Sequence, residues 1–494
     1  MPHHPGQLPT LHHHFASALP EMSVSYTPRS AEGAELGVFN EKLAEDLGLD
    51  PDWLRTPDGL GFLTGTRLHP AAQPVAQGYS GHQFGGFSPR LGDGRAVLLG
   101  ELHTPAGQTV DIHLKGSGPT PFSRGGDGYA ALGPMLREYL VSEAMHALGV
   151  PTTRALAVIR TGAQIVRPNT TDPDKAGVFE HQQGAILVRV AGSHLRVGSV
   201  QYARLLQTEQ NTGPLARLLG VARERHYPHL PQGDYLGLYR AVCQGQAELV
   251  AQWMRLGFVH GVLNTDNTTL SGETIDYGPC AFLDRLDPDT WFSSVDTHGR
   301  YAYRNQPSII MWNLARLAEA MLPLVDVEAI GAELEGFPAV YRRAWLAHMG
   351  RTLGLSAHLQ ADPATRDVAT ALIDELPGTL HAAELDMHHF YRDLAYRDLA
   401  AGTVEAPTPQ LRDWIARWGD LRPDRAAMAE VNPLIIPRNH VLNAALGNAE
   451  AGDMGPYLRL LDAVTHPFRD SADVRELDRP AHPDAAKTTT YCGT

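Results

Sequence analysis

A polar break interrupts the helical half of the chain at residues 260–279, HGVLNTDNTTLSGETIDYGP. Asn, Asp, Thr and Gly favour turns, because short polar side chains compete for backbone hydrogen bonds and Gly accepts left-handed dihedrals. The stretch cannot simply extend its neighbours, YLGLYRAVCQGQAELVAQWMRLG before it and PSIIMWNLARLAEAMLPLV after it, which carry apolar residues at helical spacing. The fold therefore has to present a loop holding His260, Asn264, Asp266, Asn267 and Asp276 beside helices. A hairpin without function is the plain alternative, and five such side chains in one short run argue against it.

Upstream the period changes. In QTVDIHLKG, Val110, Ile112 and Leu114 alternate with Asp111, His113 and Lys115, which predicts a strand with one apolar face and Lys115 on the other. LGPMLREYLVSEAMHALGVP follows as a helix, with Leu136, Leu140, Ala144 and Leu148 on one stripe, Pro134 in the first turn, and Gly149 and Pro151 at the stop. AILVRV, residues 185–190, reads as another strand, and residues 405–450 as partly helical. These patterns divide the chain into an irregular N-terminal extension (1–75), a small β-rich lobe (76–200), a helical lobe with the loop 260–278 (201–480) and a flexible tail (481–494). The expected class is α+β in two lobes.

The bulk properties narrow the function. The 494 residues suffice for two lobes with their own cores, and 43% hydrophobic with 19% charged residues is ordinary for a globular protein. A net charge of -14 argues against nucleic acid as a partner. No apolar run approaches the ~20 residues needed to span a bilayer, and MPHHPGQLPTLHHHFASALPEM lacks a secretory pattern, so a cytoplasmic location without membrane contact is expected. Cys243, Cys280 and Cys492 are too far apart for a zinc motif.

Several residues carry chemistry. Kinase-type phosphotransfer uses a carboxylate to orient the attacking hydroxyl and an Asn and an Asp to hold metal ions on the phosphates. On that frame Asn267 and Asp276 are hard oxygen ligands suited to Mg²⁺. The usual base position is Val262, and a carboxylate, Asp266, stands beside the Asn instead. Gly92 and Gly94 in GDGR would let backbone amides approach phosphate, with Arg95 adding charge; a plain hairpin turn is the competing reading. Lys115 on its strand and Glu138 on the next helix are placed as a nucleotide-positioning ion pair, or as a snorkelling Lys and a surface Glu. SRGGDGY, residues 123–129, is a second Gly-rich stretch or a mobile loop. Arg189 interrupts an apolar strand, and with Arg196 it calls for an anionic partner, a polyphosphate or a structural carboxylate.

The segments YSGHQFGGFSPRLGDGRAVLLGE, HLKGSGPTPFSRGGDG, LREYLVSEAMHALGVPTTRALAV, HGVLNTDN, TIDYGPCAFLD, QPSIIMWNL and NPLIIPRNH resemble the selenoprotein O family, in order from about residue 79 to 440. The resemblance implies a two-lobed protein-kinase-like fold, formerly regarded as a pseudokinase. It also implies transfer of AMP from ATP to Ser, Thr or Tyr hydroxyls of proteins, self-modification included, with the nucleotide reversed relative to a kinase. By the same resemblance Asp266 is the proton acceptor, and Asn267 and Asp276 hold Mg²⁺, or Mn²⁺ in its place. Lys115, supported by its ion-pair partner Glu138, contacts ATP, as do Gly92, Gly94, Arg95, Asp127, Gly128, Arg189, Arg196 and Asp276.

Two positions depart from the family. Tyr129 stands where many members have Arg after GGDG. Cys492 matches a redox-active residue near the C-terminus, but RLDPDTWFSSVD, residues 285–296, lacks the cysteine that pairs with it in some bacterial members, leaving a free tail thiol as the alternative. Rival functions are UMP transfer with Mn²⁺, γ-phosphoryl transfer by a true kinase, and a non-catalytic nucleotide-binding scaffold.

Overall fold

The computed structural model describes residues 8–29, 33–168, 178–208, 213–397, 404–482 and 488–490. The chain is mixed α+β, with a sheet-rich part up to residue 191 and a helical part from residue 197 onward.

The sheet-rich part contains β1 (Ser23–Ser25), β2 (Glu35–Phe39), β3 (Val75–Gln77), β4 (Gly81–Gln83), β5 (Gly86–Ser88), β6 (Ala96–His103), β7 (Thr109–Lys115), β8 (Ala130–Ala131), β9 (Arg154–Pro168) and β10 (Phe179–Ala191). One eight-stranded sheet runs β1-β3-β6-β7-β10-β9-β2, with β8 also on β10, while β4 and β5 form a separate hairpin. β7 is central, with Lys115 opposite Ala96 on β6 and Leu187 on β10. Its alternation decides its two faces as the sequence suggests. Ile112 and Leu114 enter an apolar cluster with Leu43, Leu47, Leu54 and Phe62. Residues before 76, expected as an irregular extension, thus supply both strands of the sheet and short helices that cover its apolar face.

On the other side lies the helix Leu132–Ala147, buried along nearly its whole length. Gly149 at its end adopts φ 76°, the left-handed turn that terminates a helix. The helix shares its core with the long helices Tyr235–Arg255, Gln306–Met321 and Pro363–Ala383. The hydrophobic effect therefore ties the sheet-rich part to the helical part through one continuous apolar cluster. Among the described residues no helix is long and apolar enough to cross a membrane.

The polar break is clamped at both ends. β11 (Phe258–Val259) and β12 (Ala281–Phe282) pair antiparallel, Phe258 opposite Phe282 and Val259 opposite Ala281. The backbone of residues 268–276 pairs outward and not with itself: Thr269 bridges to Arg196 and Thr274 to Thr152. His260 braces this loop internally, its ring Nε2 lying 2.9 Å from the Ile275 carbonyl while its amide donates to Gln306.

Candidate active site

Every residue singled out above for the nucleotide site, apart from Glu138 and Cys492, borders a single cavity of about 280 Å³ between the sheet and the polar loop. Lys115 reaches it from the polar face of β7. Its Nζ lies 2.6 Å from Glu138 Oε2 and 2.5 Å from Asp276 Oδ1. Arg189, next to β7 on β10, donates from Nε to Glu138 Oε1 at 2.9 Å, and its guanidinium stands 3.9 Å from Asp276 Oδ1. Glu138 is 2% exposed and sits behind the cavity as the counter-charge of both cations. Burial works against its charge, but Arg189 and Lys115 hold its carboxyl below the ordinary range. Asp276 is likewise opposed by burial, and Lys115 and Arg189 hold it far below the ordinary range. Its backbone takes φ 69°, an uncommon conformation for a non-glycine residue and one that clusters at functional sites.

Asp266 has the opposite electrostatics. Burial pushes its carboxyl up to about 6, against the hydrogen bond from Gln83 and the charge of Arg196. Gln83 Nε2 donates to Oδ2 at 3.0 Å, while Oδ1 is buried with no hydrogen-bond partner among the described residues. A carboxylate with one oxygen held, the other uncommitted and its proton affinity near neutrality is suited to general-base work. The guanidinium of Arg196 lies 4.4 Å over the Tyr79 ring at the same cavity.

Asn267 and Asp276 fit a divalent cation. The Asn267 amide nitrogen donates to the Val262 carbonyl at 3.0 Å, leaving its side-chain oxygen to act as a ligand beside the ionised Asp276. No group of three or more His, Cys, Asp or Glu side chains among the described residues is arranged for a metal. Two hard oxygens match the way Mg²⁺ is usually bound, with nucleotide phosphates completing the shell.

The Gly-rich segments meet over the cavity. Gly92 takes φ 83°, and a Cβ there would come within 2.3 Å of the Phe122 ring. Gly128, at φ 71°, lies so close to Gly118 that a Cβ would fall 2.1 Å from its carbonyl carbon. Asp127 receives a bidentate contact from Arg167, at 2.6 and 2.9 Å, and Arg167 also donates to the Tyr129 carbonyl at 2.9 Å. A guanidinium therefore stands at this rim although position 129 is Tyr.

Sequence reasoning missed Gln83, Tyr79, Arg167 and Asp93. Asp93 is buried in the GDG turn, accepting from the Gln77 amide at 2.9 Å with its Oδ2 3.1 Å from His113 Nε2. The alternation that placed Lys115 put His113 on the same face and was the available signal. Gln83 was marked only by being polar within a Gly-rich run. Cys492 lies outside the described residues. Within the tail expected to be flexible, Thr490 is tied down, its amide donating to Phe292 and its hydroxyl to the Pro279 carbonyl at 2.8 and 2.6 Å.

The family model described as protein adenylyltransferase SelO matches residues 10–465. Among curated proteins, a protein nucleotidyltransferase YdiU of Mycolicibacterium smegmatis is 49% identical over 494 residues, covering 98% of each chain. The protein of that name from Mycolicibacterium paratuberculosis is 51% identical over 97% of each chain. That of Cereibacter sphaeroides is 48% identical over 92% of this chain and 93% of its own.

Proposed function

The chain belongs to the SelO protein adenylyltransferase family and is a nucleotidyltransferase, and from that premise we propose that it transfers AMP from ATP to Ser, Thr or Tyr hydroxyls of proteins. The sheet-rich and helical parts act as the two lobes of a kinase-like fold with the nucleotide between them. The acceptor oxygen forms a bond to the α-phosphorus, the bond from that phosphorus to the β-phosphate oxygen breaks, and pyrophosphate leaves. The hydroxyl proton passes to Asp266. Lys115, Arg189 and Arg196 grip the departing pyrophosphate, since guanidinium and ammonium groups bind phosphate oxygens by charge-assisted hydrogen bonds. A divalent ion held by Asn267 and Asp276 supplies further neutralisation of phosphate charge. Arg95, Asp127 and the backbone at Gly92, Gly94 and Gly128 orient the nucleotide. Positioning and preorganised charge carry most of the rate.

The observation that supports this best is Asp266 itself: a buried carboxylate with one oxygen unpartnered among the described residues, beside a cavity whose wall includes Lys115, Arg189 and Arg196. The usual kinase base position is Val262, a buried apolar side chain. The test is incubation with ATP labelled at the α- or the γ-phosphate, read by incorporation and intact mass. Label from the α-position is expected in protein, with one adenylyl mass per event and the γ-label in pyrophosphate. Incorporation of γ-label alone would make the enzyme a kinase, and a competing preference for UTP would make it a uridylyltransferase.

A further inference from the structure

The hairpin β4–β5 is fastened to the polar loop residue by residue. The His82 amide donates to Thr265 Oγ1 at 2.7 Å, the Gln83 side chain to Asp266 Oδ2 at 3.0 Å and the Phe84 amide to Asn264 Oδ1 at 3.2 Å. Three consecutive hairpin residues thus hold three consecutive loop residues. Asn264 Oδ1 accepts a second bond, from Tyr301 Oη at 2.6 Å, and the Phe84 amide also reaches that hydroxyl at 3.1 Å. Asp296 in turn fixes the approach to Tyr301, accepting from the Arg300 and Tyr301 amides at 2.9 and 2.8 Å.

Between these two anchored walls lies a second cavity, of about 460 Å³, bordered by Phe84, Val295, His298 and Arg300. Phe84 and Val295 are 39% and 50% exposed; Phe87, outside the cavity lining, is 46% exposed and packs on His82, whose ring meets the Trp312 ring that Arg300 also covers. Large apolar side chains left in water at one place mark a binding surface. The polar element is cationic. Arg300 stacks over Trp312 at 4.9 Å, its Nε has no hydrogen-bond partner among the described residues, and the carboxylate of nearby Asp296 is committed to backbone amides. Arg316 covers the same Trp312 ring but is paired with Glu319 at 2.6 Å.

The geometry points to this cavity, together with the adjoining Phe87, as the docking site for the acceptor polypeptide, which presents apolar side chains to Phe84, Val295 and Phe87 and an acidic one to Arg300. The assignment rests on the adenylyltransferase reading and adds a substrate class to it: hydroxyl residues with apolar and acidic neighbours. Continuity with the base carries it. Both walls converge on Asn264, two residues before Asp266, and Gln83 links the hairpin directly to the base carboxylate. Because the chain carries a net charge of -14, attraction of an acidic segment has to be local to this patch rather than a property of the whole surface.

The test uses the full-length enzyme and two synthetic peptides of equal length, each with one Tyr, flanked by Glu and Leu in one and by Lys and Ser in the other. Transfer of α-phosphate label is measured for wild type, Phe87→Ser and Arg300→Glu, together with ATP affinity, self-labelling and sedimentation. Wild type is expected to prefer the acidic peptide by about tenfold or more in kcat/KM. Phe87→Ser raises KM for it, and Arg300→Glu reverses the preference, with ATP affinity and self-labelling unchanged. Equal use of both peptides by a self-labelling wild type would overturn the docking site and leave the chemistry standing. A dimer that Phe87→Ser converts to monomer would assign the face to a second copy and overturn it too. Absence of both peptide transfer and self-labelling would sink the adenylyltransferase reading and this proposal with it.

Discussion

Asp276 and Lys115 form an ion pair across the candidate active site, Oδ1 2.5 Å from Nζ, although 161 residues separate them in the chain. Either partner alone suits a nucleotide complex, the lysine for phosphate and the carboxylate for a metal ion. Without nucleotide they neutralise each other. On the proposed function, a metal–nucleotide complex would exchange this one ion pair for two new contacts, lysine to phosphate and carboxylate to metal, so that little buried charge would be stranded.

Replacing Lys115 by Met removes the nearer of the two cations beside Asp276 and, on the proposed function, the ammonium that would bind the phosphates. Activity is expected to fall by roughly 10²–10³ or more, the scale for loss of a preorganised charge at a transition state. Asp276→Ala should weaken metal-dependent nucleotide binding. Labelled-ATP transfer and calorimetry on both variants check this, and wild-type turnover in either would refute the assignment.

Glu138 has a structural consequence. It is buried and faces two cations, so Glu138→Gln takes from Arg189 its nearest carboxylate and leaves Lys115 with Asp276 alone, at a cost of about 3–5 kcal/mol in the usual range for breaking a buried pair. The pH dependence follows from the direction of its shift. The folded carboxyl lies below its ordinary value of 4.5, so its stabilisation is complete above that value and is lost as pH falls through the lower, folded value. Urea unfolding between pH 3 and pH 7 should show a steeper acid loss for wild type than for the Gln variant.

Asp266 gives the activity profile. As the proposed base it would act only when ionised, and with burial raising its carboxyl to about 6, activity should fall as pH drops through that region instead of near 4. Asp266→Asn should lower kcat by about 10²–10⁴, the usual contribution of general acid–base catalysis, while ATP affinity holds. A profile flat down to pH 5 would remove Asp266 from the role of base.

Much of this site could be read in the sequence because it depends on short-range rules. A period of two put Lys115 on the polar face of its strand, an apolar stripe marked the helix that carries Glu138, and the density of Asn and Asp marked residues 264–276. What escaped depends on long-range register. Gln83 meets Asp266 across 183 residues, and Arg167 meets Asp127 across 40 residues, with no local pattern in either case. ELGVF, residues 35–39, is too short and too evenly half-buried to stand out as a strand, and its pairing partner on β9 lies far along the chain. The 268–276 segment carries good turn residues, yet its backbone pairs with Arg196 and Thr152, because those loops offered partners that local propensity cannot foresee.

Two glycines with nearly the same positive φ separate fit from flexibility. Gly92 has φ 83° and Gly107 φ 80°. A Cβ at Gly107 would meet nothing within 4 Å, whereas one at Gly92 would press into the Phe122 ring, which borders the nucleotide cavity. Gly107→Ala should therefore cost only the left-handed backbone term, about 1–2 kcal/mol. Gly92→Ala should add an overpacking term of about 1–3 kcal/mol. The neighbouring Asp93 is held by Gln77 and lies beside His113, so the turn cannot swing away freely to relieve the contact. The strain has to appear at Phe122 and in the backbone of the turn, Gly92 to Gly94, that lines the cavity. Gly92→Ala is thus expected to weaken ATP binding at least tenfold beyond any change in Gly107→Ala, on the scale of 1.4 kcal/mol per decade. Urea midpoints and ATP titrations on both variants decide the matter, and identical behaviour of the two would mean that the close approach at Gly92 plays no part in holding the nucleotide.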